Sequence, residues 1–467
     1  MAEIYIYDDL HPEDNAMLQA LYSRSPQSVV DHVEKVKAVG SGKFMEQFYV
    51  GYGHASIGDC GSTTIFLENV SMLAAKAFQD HQLYSGQEAS TRYLDFAKQP
   101  LIDPYAHPES GAIQTGWITL YDSYMPKVKE ALRTRHPFNV AEHKTEKMWE
   151  KAIAARAFDI LRCLLPVGTG TLLSWHTNLR QARDHLRRLN HNPLAEVRSL
   201  AKKVHAALLE KYPHSFNSED MDEASERNAA RNAYAEAIAD EDQVLSPDPL
   251  WKGLEAADQQ IILDGQILVD MEAYNAKRAN QNETEYFRTR PKGGIVPHRF
   301  MQYGLYNLTF LLDFGSFRDL QRHRNGFCPL PLITSQFGFH SWYLNELKSL
   351  LNEDDFSTLK SAIDEQISAV ERLPASLHRN RFSDQYLYPM GMAVLCRLGY
   401  SLPQMIYVAE LRSGATVHPS LRPIAQKMGQ LLNETHPLLK TYIDNSSDEW
   451  SFKRGQQDIT AKATDAA

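Results

Sequence analysis

The stretch from Asp80 to Tyr93 reads Asp-His-Gln-Leu-Tyr-Ser-Gly-Gln-Glu-Ala-Ser-Thr-Arg-Tyr. Ser85, Gln87, Glu88, Ser90, Arg92 and Tyr93 supply hydroxyls, an amide, a carboxylate and a guanidinium, with Gly86 allowing a turn. Such a loop has the donors and acceptors to grip a polar, phosphorylated ligand. The plainer alternative is a solvated helix end with Glu88 and Arg92 paired one turn apart. A second cationic group lies at Arg180, Arg183, Arg187 and Arg188, at helical spacing on nearly one face. As a cluster it is an anion-binding candidate, although any one of these arginines is more simply paired with an acid. A third runs Arg322-His323-Arg324. His176, His185 and His191 lack the i, i+4 spacing of a helical metal pair, so no metal site is expected there.

Elements must hold these groups. Val70, Leu73, Ala74, Ala77 and Phe78 fit one buried helix face leading into the polar loop. Before it, Thr63–Leu67 reads as a strand, and Gly51–His54 as a turn that presents a histidine. Residues 1–50 read as mostly helical, and residues 100–108 as a loop. Helices are expected over roughly 111–134 and 145–165, ended by Pro166-Val-Gly168. Helical pattern resumes over about 250–283, a turn falls at Arg290–Gly294, and Leu308–Phe314 reads as a strand. Further helices are expected over about 340–372 and 420–435.

Composition bounds the class. The 467 residues are 43% hydrophobic and 23% charged, with net charge −9, ordinary for a globular protein of two or three domains. No overall basic field draws the chain to nucleic acid or to an anionic membrane. Cys60, Cys163, Cys328 and Cys396 form no Cys-x-x-Cys pair, so neither a disulfide framework nor a cysteine zinc site is suggested. No signal peptide and no spanning segment is visible, and the cytoplasm is the simplest location.

The chain also resembles itself. Placed without gaps, Arg188–Pro213 matches Arg412–Pro437 at Arg188/Arg412, Arg198/Arg422, Ala201/Ala425, Lys203/Lys427, Leu208/Leu432, Glu210/Glu434 and Pro213/Pro437. Upstream, Pro166-Val-Gly168 matches Pro389-Met-Gly391 after a shift of one, and the strand leading to Asp80-His81-Gln82 resembles the one leading to Arg322-His323-Arg324. Two diverged tandem copies are therefore expected over 1–217 and 250–446, with an acidic connection at 218–249 and a polar tail at 447–467.

The first copy resembles the flavin-dependent thymidylate synthases. Their signature, Arg-His-Arg followed by a Ser, polar, Glu, Ser, Arg-Tyr series, is met in register by His81, Ser85, Gln87, Glu88, Ser90, Arg92 and Tyr93, with Asp80 and Gln82 where arginines belong. Gly53-His54, Asn178-Leu-Arg180 and Arg188 resemble the family's other motifs, with Asp59 where a glutamate is usual. The second copy keeps Arg322-His323-Arg324 and Arg412 but lacks the Ser-x-Arg-Tyr part and the Asn-x-Arg.

The resemblance implies an α/β (α+β) fold, each unit a small mixed or antiparallel sheet flanked by helices. It implies FAD as cofactor, NADPH and methylene-tetrahydrofolate as cosubstrates, and methylation at C5 of a uracil nucleotide, as in making dTMP from dUMP. By position, His54, Asn178, Arg180, Arg322, His323 and Arg324 would contact flavin. Gln87, Glu88, Ser90, Arg92 and Tyr93 would bind the nucleotide, and Arg188 and Arg412 are the catalytic candidates. The unequal losses suggest a homodimer imitating the family's tetramer. The alternatives are a related flavoenzyme acting on another nucleotide or pyrimidine, and a non-catalytic flavin- or nucleotide-binding protein.

Overall fold

A computed structural model describes Tyr5 and residues 9–89, 96–221, 248–272, 281–294 and 296–447. The chain divides into two compact units. Met1–Val70, Ala77–Glu88 and Thr171–Glu241 form the first; Ser71–Lys76, Ala89–Gly170 and Asp242–Ala467 form the second. Both are mixtures of helix and small sheet, the α/β (α+β) class the motifs imply.

In the first unit, helices α1 (Pro12–Tyr22) and α2 (Val29–Val39) pack through Met17, Leu18, Val33 and Val36. Strands β1 (Ser62–Ser71) and β2 (Gly170–Asn178) make a two-stranded sheet. Helix α3 (Met72–Gln79) follows β1 at once; its residues Met72–Lys76 count with the second unit and Ala77–Gln79 with the first. Val70, assigned to the helical face by periodicity, lies in the last part of the strand instead, where a left-handed Asn69 (φ 56) shifts the alternation. Helices α4 (Pro108–Arg135) and α5 (Glu146–Leu161) belong to the second unit. Helix α6 (Leu179–Leu189) follows β2, and α7 (Ala195–Lys211) folds back on it. The cationic stretch at 170–190 is thus half strand. Trp175 is buried on β2 against Phe78 and His185, while Leu172 and His176 face outward.

The second unit holds a four-stranded antiparallel sheet, in the order β3 (Leu268–Glu272), β4 (Leu305–Asp313), β6 (Ala393–Ser401), β5 (Gly326–Phe327). Its apolar face is formed by Tyr306, Leu308, Phe310 and Leu312 with Val394, Cys396, Leu398 and Tyr400, all buried. Helix α8 (Phe314–Leu320) follows β4, so Phe314 opens a helix rather than closing the strand. Helices α9 (Ser341–Leu350) and α10 (Glu353–Glu371) match the helical expectation over 340–372. Helix α11 (Leu402–Arg412) follows β6, and α12 (Arg422–Thr435) packs on it. β3 replaces part of the helix expected over 250–283.

One backbone pattern occurs twice within the second unit. Val167 N donates to Tyr388 O (2.9 Å) and Gly168 N to Tyr386 O (3.0 Å); in return, Met390 N donates to Leu165 O (2.8 Å) and Gly391 N to Cys163 O (2.9 Å). Met72 N reaches Thr169 O (3.0 Å) and Leu73 N reaches Val167 O (3.3 Å), while Phe314 N reaches Met392 O (3.1 Å) and Gly315 N reaches Met390 O (3.0 Å). Ile102 N donates to Gly168 O (2.8 Å) as His340 N does to Gly391 O (2.9 Å). Every donor here satisfies a buried carbonyl, as such a dry junction requires. A Cβ at Gly168 would collide with Gln114 Nε2 and the carbonyls of Ile102 and Tyr386, so the crossing needs glycine.

Candidate active site

Asn178 ends β2 and caps α6, its side chain accepting from Gln181 N at 2.8 Å. The cap sets the helix start, and Arg188 then falls on the last turn. Its Nη2 donates to the carbonyl of Asp80, just past the end of α3, where helix carbonyls lack internal partners. His185, one turn earlier, is fully buried. Its Nε2 lies 3.0 Å from Phe78 O, a pure acceptor, so that nitrogen carries the proton and a bare Nδ1 faces Arg188 at 3.4 Å. His81 meets His185 edge-on at 4.4 Å. Burial first, and the Arg188 charge second, hold His81 down to about 4; burial, Arg188 and His81 hold His185 well below the usual histidine value. The arginine therefore sits among neutral imidazoles.

The polar loop beyond α3 lies along β2 like an extra strand. His176 N donates to Ser85 O (2.7 Å), and Ser174 N to Gln87 O (2.8 Å). Gln87 N donates to Ser174 Oγ (3.0 Å), and Tyr84 OH to Ser174 O (2.5 Å). Glu88 is held by Gln79 Nε2 at 2.9 Å. This backbone pairing leaves the Ser85 and Gln87 side chains exposed. Ser90, Arg92 and Tyr93 lie outside the described residues, and with them the Glu88–Arg92 pair.

The cationic group does not act as one surface. Arg180 Nε is paired with Asp59 at 2.7 Å, and Arg183 Nε with the buried Asp220 at 2.6 Å. Asp220 also accepts from Asn217 N at 3.0 Å and lies 3.5 Å from His205. Part of the acidic stretch expected to be a connection is therefore core of the first unit, because a buried guanidinium requires a buried acid. His54 is exposed after Gly53 (φ 66), with the Tyr52 ring 6.1 Å away.

The second unit repeats the arginine arrangement. Arg412 closes α11; its Nε donates to His323 Nε2 at 2.8 Å and its Nη2 to Asp319 O at 2.7 Å. Burial, then Arg412, push His323 down to about 3, and burial lowers Arg412 itself from its usual value. Two residues earlier, Glu410 grips the buried Arg290 through both oxygens (2.5 and 3.1 Å), and Arg290 also binds Lys440 O at 2.9 Å. Arg322 is half exposed, with Asp319 no closer than 3.8 Å. His323 turns inward, Arg324 is half-buried, and Arg322 is the exposed member of the expected flavin triplet.

His185, Asp319, Glu410 and Arg290 were not singled out by sequence reasoning. Only His185 carried a signal, its spacing of three from Arg188 on one helix. Among the described residues no group of three His, Cys, Asp or Glu could hold a metal ion, and no helix is long and apolar enough to cross a membrane.

This paired scaffold, with an arginine at the end of the helix after each long strand, can be set beside known proteins. Residues 8–214 match the family described as thymidylate synthase complementing protein, so the resemblance seen in the motifs holds across that part of the chain. Over most of its length the chain is also similar to three further proteins. A UPF0159 protein of Chlamydia muridarum (strain MoPn / Nigg) is 22% identical over 447 residues, 86% of this chain and 80% of that one. A UPF0159 protein of Chlamydia pneumoniae is 22% identical over 437 residues, with the same two shares, 86% and 80%. One from Thermoplasma acidophilum is 22% identical over 482 residues, 92% of this chain and 94% of that one.

Proposed function

We propose that the chain is an FAD-dependent thymidylate-synthase-like enzyme that places a one-carbon unit on C5 of a uracil nucleotide, with methylene-tetrahydrofolate and NADPH as cosubstrates. The observation that carries this reading is the match of residues 8–214 to thymidylate synthase complementing protein. Support comes from Arg188, held at the carbonyl of Asp80 beside His81, in the segment that leads into the polar loop.

The flavin fits the second unit better than the first. The half-exposed Arg322 is weakly engaged, whereas Asp80 stands at the matching position of the first copy, where a carboxylate repels a pyrophosphate. Arg322 and Arg324 would hold the cofactor, which supplies hydride chemistry when bound. The chain's own groups do the rest. Carbon 5 becomes nucleophilic only as negative charge on the pyrimidine oxygens is stabilised, and a fixed guanidinium, Arg188 or Arg412, meets that need. Neutral His81 and His323 add no charge of their own beside those cations, and Arg412 also has the Asp319 carboxylate nearby. Gln87 and Glu88 orient the base, and Ser90 with Arg92 takes the phosphate.

The Arg180–Asp59 pair and the Asp80 substitution favour one second reading, a flavoenzyme of this type with a changed pyrimidine substrate. Two copies of the chain are proposed to act together as a homodimer. The test is the visible absorption of the purified protein before and after NADPH, followed by turnover of dUMP with methylene-tetrahydrofolate. Arg322→Ala is expected to remove the flavin bands and Glu88→Ala to keep them. Loss of flavin in Asp80→Ala with retention in Arg322→Ala would overturn this division of labour.

A further inference from the structure

The two catalytic candidates, Arg188 and Arg412, are held unequally. Arg188 is anchored by its Nη2 at the carbonyl of Asp80, and its Nε is buried with no hydrogen-bond partner among the described residues. Arg412 is anchored at both Nε and Nη2. The helix end that carries Arg412 is also tied from outside. Residues 439–447 form no helix or strand and run along α11 and α12 as a strap. Tyr442 N donates to Glu410 Oε1 at 3.0 Å, two residues before Arg412. Asp444 N donates to Ser413 Oγ at 3.0 Å, one residue after it. Arg422, buried at the start of α12, donates through Nε to Ser413 O and through its Nη atoms to Ser446 O and Ser447 O, each at 3.0 Å. Arg412 therefore sits between two points at which α11 is fastened to the strap.

Arg290 closes this clamp. It follows the helix Gln281–Thr289, and its side chain is 1% exposed. Besides gripping both Glu410 oxygens and Lys440 O, its guanidinium lies 5.5 Å from the Tyr442 ring, and its carbonyl accepts from Tyr442 OH at 2.8 Å. A buried ion pair is weak evidence for stability, because apolar residues of similar size often serve as well. What the pair supplies here is geometry: Arg290 fixes the carboxylate that Tyr442 N requires. In the alignment that matches Arg188 to Arg412, Leu186 stands where Glu410 does, so the first copy lacks this carboxylate.

We propose that Arg412 is the guanidinium that stabilises the developing charge, and that Arg290, Glu410 and the strap are its positioning device. The assignment rests on the flavoenzyme reading proposed above. A fixed cation stabilises growing negative charge without reorganising as the reaction proceeds, and that advantage belongs to the arginine whose helix end is clamped. Arg290 and Glu410 act through Arg412, as positioning residues.

The test replaces the buried pair as a pair. Arg290→Met with Glu410→Leu fills the same space with apolar side chains, so the fold is kept while Tyr442 N and Lys440 O lose their partners. The holoenzyme is measured for bound flavin, for kcat and KM with dUMP per bound flavin, and for the ring-nitrogen NMR signals of His323, whose Nε2 reports the grip of Arg412. Flavin content is expected to stay, with KM within about twofold and kcat lower by roughly ten- to a hundredfold. His323 is packed against the Tyr407 ring, and its titration is set by burial and by Arg412, Asp319, Arg322 and Arg324; loss of the Arg412 contact moves it up by about one pH unit. Ser413→Ala, a milder cut that removes the acceptor of Asp444 N, moves both readouts the same way, with kcat down by about threefold. An unmoved His323 signal in the folded pair variant overturns the clamp. A moved signal with unchanged kcat overturns the assignment to Arg412. If the pair variant does not fold, Ser413→Ala decides on the same two readouts. A wild type that turns over no dUMP sinks the flavoenzyme reading, while His323 still judges the clamp, so the two fail separately.

Discussion

At the scale of single residues, a histidine beside an arginine is an electrostatic arrangement with a pH signature. His323 accepts from Arg412 at 2.8 Å only while its Nε2 is unprotonated. Folding holds it down to about 3, through burial first and Arg412 second, against an ordinary value of 6.5. The folded chain thus refuses a proton that the unfolded chain accepts. Stability from this group is fully present above about 6.5 and is lost as pH falls toward about 3, with a limiting slope of roughly 1.4 kcal/mol per pH unit. His323→Gln keeps an acceptor for Arg412 but has no proton to take up. Urea midpoints from pH 7 down to 4 should fall less steeply in this variant than in the wild type; parallel curves would mean that His323 is already protonated in the fold. Sequence alone named His323 and Arg412 but set them among flavin and substrate contacts. That each already grips the other depends on a distance between residues far apart in the chain, which no local pattern encodes.

Among the elements, what was legible followed strong periodicity or clear punctuation. Helices α4, α5, α9, α10 and α12 fell near their expected limits, because amphipathic spacing and caps mark them. Among the missing elements were β2, β3, β6, α7 and α11. β6 is apolar on both faces apart from Arg397, so it has no alternation to read. β2 runs directly into the arginine-rich α6, whose helical spacing overshadowed it. The pairing of loop 85–88 with β2 was hidden for the same reason, and it bears a test. An added Cβ at Gly86 would overlap the Ser174 carbonyl, a backbone atom that cannot swing aside. Gly86→Ala should therefore push the loop off the strand edge and break the hydrogen bonds of Ser85 and Gln87 to β2. The helices behind it are untouched, so the melting temperature should change little, while UMP affinity should fall roughly tenfold or more, the worth of one charged hydrogen bond. Unchanged nucleotide affinity would remove this loop from the substrate site.

For the whole molecule, the sequence repeat and the doubled hydrogen-bond pattern at Val167/Met390 and Gly168/Gly391 bear on how many chains make one site. The first copy keeps the polar loop and has lost the arginines at 80 and 82; the second keeps Arg322 and Arg324 and has lost the loop. If a dimer brings the loop of one chain to the arginines of the other, two dead variants should rescue each other. Glu88→Ala disables the loop and Arg322→Ala the flavin-holding group. After the two are unfolded and refolded together, half of the dimers are mixed, and each mixed dimer has one site with both lesions and one with neither. Recovery of roughly a quarter of the wild-type dUMP turnover is then expected, from a mixture whose parents are each inactive. A site built within one chain gives no recovery at any mixing ratio, since every chain carries its own lesion. Light scattering on the same sample supplies the matching physical count, because rescue requires two chains per particle and a monomer at assay concentration excludes it.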